Sequence, residues 1–364
     1  MKAFLPFHFY VLTLTSLSTF HNPQFPTMTI WLWIGFIALV LVFLALDLGV
    51  FNRKAHVIGI REAIRWTIFW IVMALLFNVA VYFMYEYHLL HIGEHYEKNG
   101  TEVVEVVDLT GSQAAIKFFT GYVIEKSLSL DNIFVISLIF TYFGVPAIYQ
   151  HRVLFWGILG ALIMRGIMIA VGTTVLHYFE PAIYIFGAIL IFTALKMLFT
   201  KHEEVHPEKD PLVKLAKKFF SVTPEYHGEK FFVRIDGKLF LTPLFLVLLV
   251  VESTDVVFAV DSIPAIFAIT KDPFIVFTSN IFAILGLRSL YFALAAMIRK
   301  FRYLKHSLVI ILLYVGCKMM CSKLIEHHHI SDVMTWISLG VIMGIMTIGV
   351  LASMWANKHD AAIK

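Results

Sequence analysis

Charge is what this chain has least of. Asp, Glu, Lys and Arg make up 15% of its 364 residues, while 59% are hydrophobic and the mean hydropathy is +0.81. Soluble domains carry about a quarter charged residues, so the shortage excludes a string of soluble domains and points to a polytopic membrane protein. Cysteine is nearly missing as well. Cys317 and Cys321 cannot build a disulfide framework. One helical turn apart in an apolar run, they read as packing residues ahead of a soft-metal pair. The bases sit in short segments between apolar spans, which excludes a nucleic-acid module. Gly157, Gly160, Gly166 and Gly172 suit close helix packing and form no nucleotide loop. No enzyme activity and no organic cofactor are expected.

What is present is a series of apolar segments. Nine spans are read, at about 30–50, 66–87, 114–143, 153–176, 181–199, 241–269, 274–298, 306–325 and 333–355, giving an all-α membrane fold. Of the 29 Lys and Arg residues, 19 fall on one side of this arrangement and only Lys2, Lys98 and Lys271 on the other. The positive-inside rule then predicts the N-terminus outside and the C-terminus in the cytoplasm. Residues 1–27 read as an overlong start or a tail, with a cleaved leader as the alternative. Residues 28–112 hold two leading spans and an acidic external loop, and 201–240 form a basic cytoplasmic loop. Within that loop Pro211 to Phe220 sets Leu212, Leu215, Phe219 and Phe220 opposite Lys214, Lys217 and Lys218, an amphipathic helix suited to lipid. Phe231 to Phe240 reads as a hairpin turning at Asp236-Gly237.

The remaining segments hide a repeat. Ser129-Leu-Asp131-Asn-Ile-Phe134-Val-Ile-Ser137 aligns with Ser253-Thr-Asp255-Val-Val-Phe258-Ala-Val-Asp261. Arg165 follows Asp131 by 34 residues and Arg288 follows Asp255 by 33; Lys196 and Lys318 come 31 and 30 residues later still. Residues 113–200 and 241–325 are therefore expected to be two three-helix units, followed by a last span and tail at 326–364. On the predicted topology the units are inverted, a plan of secondary transporters whose ligand sits at mid-membrane between the repeats.

A carboxylate at the bilayer centre costs roughly 2.5–3.5 kcal/mol on insertion scales, so intramembrane acids need compensation. Glu125, Asp131, Glu252, Asp255 and Asp261 fall inside spans, and Asp47 near the end of one. One smooth helix cannot aim Glu252, Asp255 and Asp261 at a single point, since residues 252 and 261 face roughly opposite ways. Two solutions are open: the spans unwind near Ser127–Ser129 and Ser253–Thr254, or the acids divide their roles. Pro264 suggests a break or kink just beyond Asp261. Lys126, Arg165 and Arg288 are the available charge-balancing bases, and pure ion pairing is the bland reading. The surplus carboxylates, with Ser129, Asn132, Ser253 and Thr254, would make an all-oxygen ligand set suited to Mn²⁺, Mg²⁺ or Ca²⁺. Carboxylates surplus to charge balance also suit cation/proton exchange.

Two histidine motifs carry less. His202-Glu-Glu-Val-His206 matches a zinc-protease signature, but it lies in a charged loop and meets Pro207 at once, so chance is the better reading. His327, His328 and His329, beside Glu326 and Asp332, read as a solvated outer loop.

Several stretches resemble the TerC family of integral membrane proteins, and within it the Alx-type branch. They are Ala45–His56, Glu125–Asn132, Thr242–Ile266 and Ser279–Tyr291, and the resemblance covers roughly residues 28–325. It implies a manganese exporter of the bacterial inner membrane, with Mn²⁺ as substrate and Glu125, Asp131, Glu252, Asp255 and Asp261 along the ion path. Other members are linked to tellurite resistance or membrane assembly. A scaffold with purely structural charge pairs is therefore the alternative expectation.

Overall fold

The computed structural model describes residues 26–49, 59–92, 94–99, 102–107, 109–199, 208, 210–294, 303–322 and 331–363. The His202–His206 and His327–His329 motifs lie outside them, as do the side chains of Asp47 and Asp332.

Helices dominate: α1 Pro26–Gly49, α2 Ile60–Glu86, α3 Gly111–Phe143, α4 Ala147–Tyr178, α5 Ala182–Phe199, α6 Pro211–Phe219, α7 Pro243–Phe267, α8 Pro273–Leu285, α9 Leu287–Leu294, α10 Leu304–Met320 and α11 Ser331–Ile363. Their ends follow local chemistry. Thr110 and Gln113 form a reciprocal capping box at the start of α3, and Gly144 ends that helix in the left-handed region at φ 61°. Asp272 accepts from the Phe274 and Ile275 amides to cap α8, whose first residue is Pro273.

Over its described residues each predicted span falls mainly on helix, the one read as 274–298 on two, α8 and α9. Among the described residues, length and apolar composition by themselves qualify α2, α4, α5, α7 and residues 333–358 of α11 to cross a membrane; α8 with α9 makes a sixth, bent by 42°. In α3 the charges Lys117, Glu125, Lys126 and Asp131 interrupt the apolar run, and α10 has only 17 residues.

Of the two solutions left open, the unwinding of the spans does not occur. Helices α3 and α7 run unbroken through Ser127–Ser129 and Ser253–Thr254, where Ser127 and Thr254 return their hydroxyls to the carbonyls of Val123 and Val250 at 2.6 Å. Pro264 likewise lies within α7, which continues to Phe267. The break falls instead at Gly286, in the segment read as the single span 274–298.

The small strands are a departure from a purely helical chain. β1 Glu94–Asn99 pairs antiparallel with β2 Glu102–Val107 in the acidic loop. In the basic loop β3 Ser221–Val222 runs parallel to β5 Lys238–Leu241, which pairs antiparallel with β4 Phe232–Ile235. Asp236 and Gly237 turn that hairpin with φ of 50° and 78°, as the Asp-Gly pair predicts. Helix α6 buries Val213 and exposes Leu212, Leu215 and Phe219, the amphipathic pattern expected.

The packing of the two predicted units is reciprocal. Helix α3 packs on α8 and α4 on α7, so the first helix of each meets the second of the other. Helices α3 and α7 also touch, and α5 packs along α10. Small residues allow this closeness: a side chain at Gly157 would meet Val251, one at Gly160 the Glu252 carboxylate and one at Gly172 the ring of Phe267.

Candidate functional site

The centre of the bundle is polar. Arg165 of α4 is 1% exposed and lies between α3, α7 and α8. Its Nε and Nη2 donate to Asp255 Oδ2 and Oδ1 at 3.3 and 3.1 Å, the bidentate fork for which guanidinium is suited. Its Nη1 bonds the fully buried Glu125 carboxylate and also reaches Ser262 Oγ and Asn280 Oδ1, both at 3.2 Å. Asn280 closes the ring, its Nδ2 donating to Glu125 Oε2 at 3.2 Å. One arginine thus ties an acid of α3 to an acid of α7. Buried charges are tolerated only when paired and hydrogen-bonded, and this network satisfies both conditions.

The other predicted residues divide around this centre. Glu252 lies one turn before Asp255, feels its charge and abuts Gly160. Asp261 faces away, accepting a 2.7 Å bond from Thr193 of α5. Asp131 is half-buried on α3 and Arg288 is buried on α9, each engaged by its surroundings. Lys126 donates to the Ala283 carbonyl at 3.0 Å and stands over the Tyr122 ring at 5.9 Å. Ser129 is buried and Ser253 half-buried. Asn132, Thr254 and Asp255 are among the residues around a largely apolar cavity of about 20 Å³, with Ile136, Leu154 and Leu287. That is room for about one water molecule.

The acids therefore do not converge on one point: Glu125 and Asp255 share Arg165, while Asp261 turns to Thr193. Among the described residues no three His, Cys, Asp or Glu side chains come together as a ready-made metal cage. The reason is visible in the network: Arg165 stands between Glu125 and Asp255. Sequence reasoning missed Ser262, Asn280 and Thr193, since single hydroxyls and amides give no signal in an apolar run. Asn280 does fall within the Ser279–Tyr291 stretch that carried the family resemblance.

Comparison with known proteins agrees with the architecture. The chain is 45% identical to an uncharacterized membrane protein, STKORF319, of Myxococcus xanthus over 90% of its own length and 93% of the relative's. It is 43% identical to proteins of Salmonella typhi and Escherichia coli (strain K12) that carry the provisional name membrane-bound redox modulator Alx, over 90% of this chain and 95% and 96% of theirs. No solved structure matches. Residues 110–361 match the model of the integral membrane protein TerC family, to which this chain belongs.

Proposed function

We propose that this protein is a secondary transporter that exports a hard divalent cation, with Mn²⁺ the preferred substrate, through the acidic centre between α3, α4, α7 and α8. On this reading α1, α3 and α10 also cross the bilayer, giving nine spans in the bacterial inner membrane with the N-terminus outside and the C-terminus inside. The two three-helix units are inverted and exchange access around the centre. The observation that carries the reading is the stoichiometry of buried charge. Glu125, Asp255 and Glu252 share a neighbourhood with the Arg165 guanidinium and the Lys126 ammonium, so acids outnumber bases there. The surplus is negative, as a cation site requires. Oxygen donors alone, carboxylates with Asn132 and Thr254 beside a small cavity, suit Mn²⁺ better than copper or zinc. Asp131 and Asp261, on the same two helices, would extend the path, and carboxylates that exchange protons would couple export to a pH gradient.

The test is Mn²⁺ flux in vesicles reconstituted with the full chain, with and without a pH gradient. Wild-type protein is expected to move Mn²⁺ and Asp255→Asn to stop it. No metal movement by folded wild-type protein would sink the reading.

The Glu125–Arg165–Asp255 network favours a second reading, a membrane scaffold whose charges only pair. It expects joint neutralisation of all three residues to leave cellular function intact. The redox role in the relatives' name would fall on Cys317 and Cys321, both exposed on or just after α10. Exchanging both for serine without consequence would remove it.

A further inference from the structure

Arg165 occupies the oxygens that a transported cation would need. All three of its nitrogens donate: Nε and Nη2 to Asp255, and Nη1 to Glu125, Ser262 and Asn280. A hard dication binds carboxylate oxygens at about 2.1–2.6 Å, inside the space the guanidinium hydrogens fill here. Cation and guanidinium therefore compete for the same lone pairs of Glu125 and Asp255. Electrostatics gives that competition a use. Without Arg165, the empty site would hold the Glu125 and Asp255 carboxylates in the bundle interior without their shared base, a state that burial penalises severely. A transporter that has released its ion must nevertheless reset, carrying the empty site back through that interior.

We infer that Arg165 is a tethered stand-in for the transported ion: it covers Glu125 and Asp255 when the site is empty and is displaced from them on loading. The inference rests on the transport reading above and adds what governs the same site. Arginine suits this task better than lysine. It stays charged under all working conditions, and its planar fork spans two carboxylates at once, which an ammonium cannot. The anchors on Ser262 and Asn280 set how readily the guanidinium lets go.

The experiment uses the full chain in lipid nanodiscs with Mn²⁺ alone, reading free Mn²⁺ by its six-line paramagnetic resonance spectrum, and parallel Mn²⁺ flux in vesicles. If Arg165 covers the acids more than nine-tenths of the time, Arg165→Gln binds Mn²⁺ at least about tenfold more tightly than wild type. Its KM for flux falls, and its turnover falls as well, because the ion is held and the empty site cannot reset. Ser262→Ala loosens one anchor without changing any charge, and binding tightens by about two- to tenfold. Arg165→Lys lies between wild type and Arg165→Gln. A merely structural arginine gives the opposite sign, with weaker binding in every variant. Should Arg165→Gln fail to fold, Ser262→Ala decides alone. Wild-type flux with unchanged or weaker Mn²⁺ binding in the folded variants overturns this inference and leaves the transport reading standing. Wild-type protein that neither binds nor moves Mn²⁺ overturns both.

Discussion

The carboxylate of Glu252 on α7 lies directly over the α-carbon of Gly160 on α4, so close that a methyl group at 160 would overlap both oxygens. The colliding atoms are the far end of a flexible side chain, and swinging them aside costs the fold little. Gly160→Ala is therefore expected to lower stability by about 1 kcal/mol, the low end of overpacking, while removing Glu252 from its place beside Asp255. Thermal unfolding should barely change and Mn²⁺ flux should fall as far as in Glu252→Gln. A large drop in melting temperature with flux intact would show that Gly160 serves packing alone.

Removing Arg165 alone leaves two buried carboxylates facing each other. Arg165→Met should cost about 3–5 kcal/mol, the usual penalty for breaking a buried ion pair from one side. Adding Glu125→Gln and Asp255→Asn removes the uncompensated charge and should restore most of the melting temperature. The restored protein separates the two functional readings: a scaffold regains its cellular role with its stability, and a transporter does not regain flux.

How much of this was legible in the sequence follows from how rare each signal is. Asp, Glu and Arg inside apolar runs are uncommon enough that Glu125, Arg165 and Asp255 stand out, and the spacing of Asp131, Arg165 and Lys196 against Asp255, Arg288 and Lys318 suggests two units. The hydrophobic background hid the rest. Gly286 breaks a run of Ile, Phe, Ala and Leu that reads as one helix, because nothing local distinguishes a glycine at a bend from one at a packing contact. Pro264, the better-known breaker, sits near the C-terminal end of α7 and leaves it continuous as far as Phe267. The strands at 94–107 were within reach, since Asn99-Gly100 is a hairpin signal.

Lys126 shows what holds the unforeseen bend. In a straight helix the Ala283 carbonyl would accept from the Leu287 amide four residues on. The axis instead turns at Gly286, and the Lys126 ammonium donates to that carbonyl at 3.0 Å. A side chain at 286 would run into Lys126 Nζ and Trp70. Lys126→Met leaves the carbonyl without its charged donor in a dry setting and should cost about 1–3 kcal/mol. Hydrogen exchange at Leu287 to Leu290 should rise with it. Unchanged protection there would mean that the bend holds without the lysine.

Gly187 of α5 and Gly316 of α10 bring the third helices of the two units together. A β-carbon on Gly187 would stand 3.1 Å from the Gly316 carbonyl, and one on Gly316 would stand 3.0 Å from the Gly187 carbonyl and 2.8 Å from Ile191. Backbone cannot swing aside as a side chain can, so either alanine must push the helices apart. Gly187→Ala and Gly316→Ala are each expected to cost about 1–3 kcal/mol. The two penalties should not add. Once one methyl has separated the helices the second finds room, so the double variant should lie well short of the sum, with a coupling of about 0.5–3 kcal/mol. A double-mutant cycle on thermal or denaturant unfolding measures this directly. Full additivity would mean that each glycine answers to a different neighbour, Met319 for Gly187 and Ile191 for Gly316, and not to the carbonyl of the other.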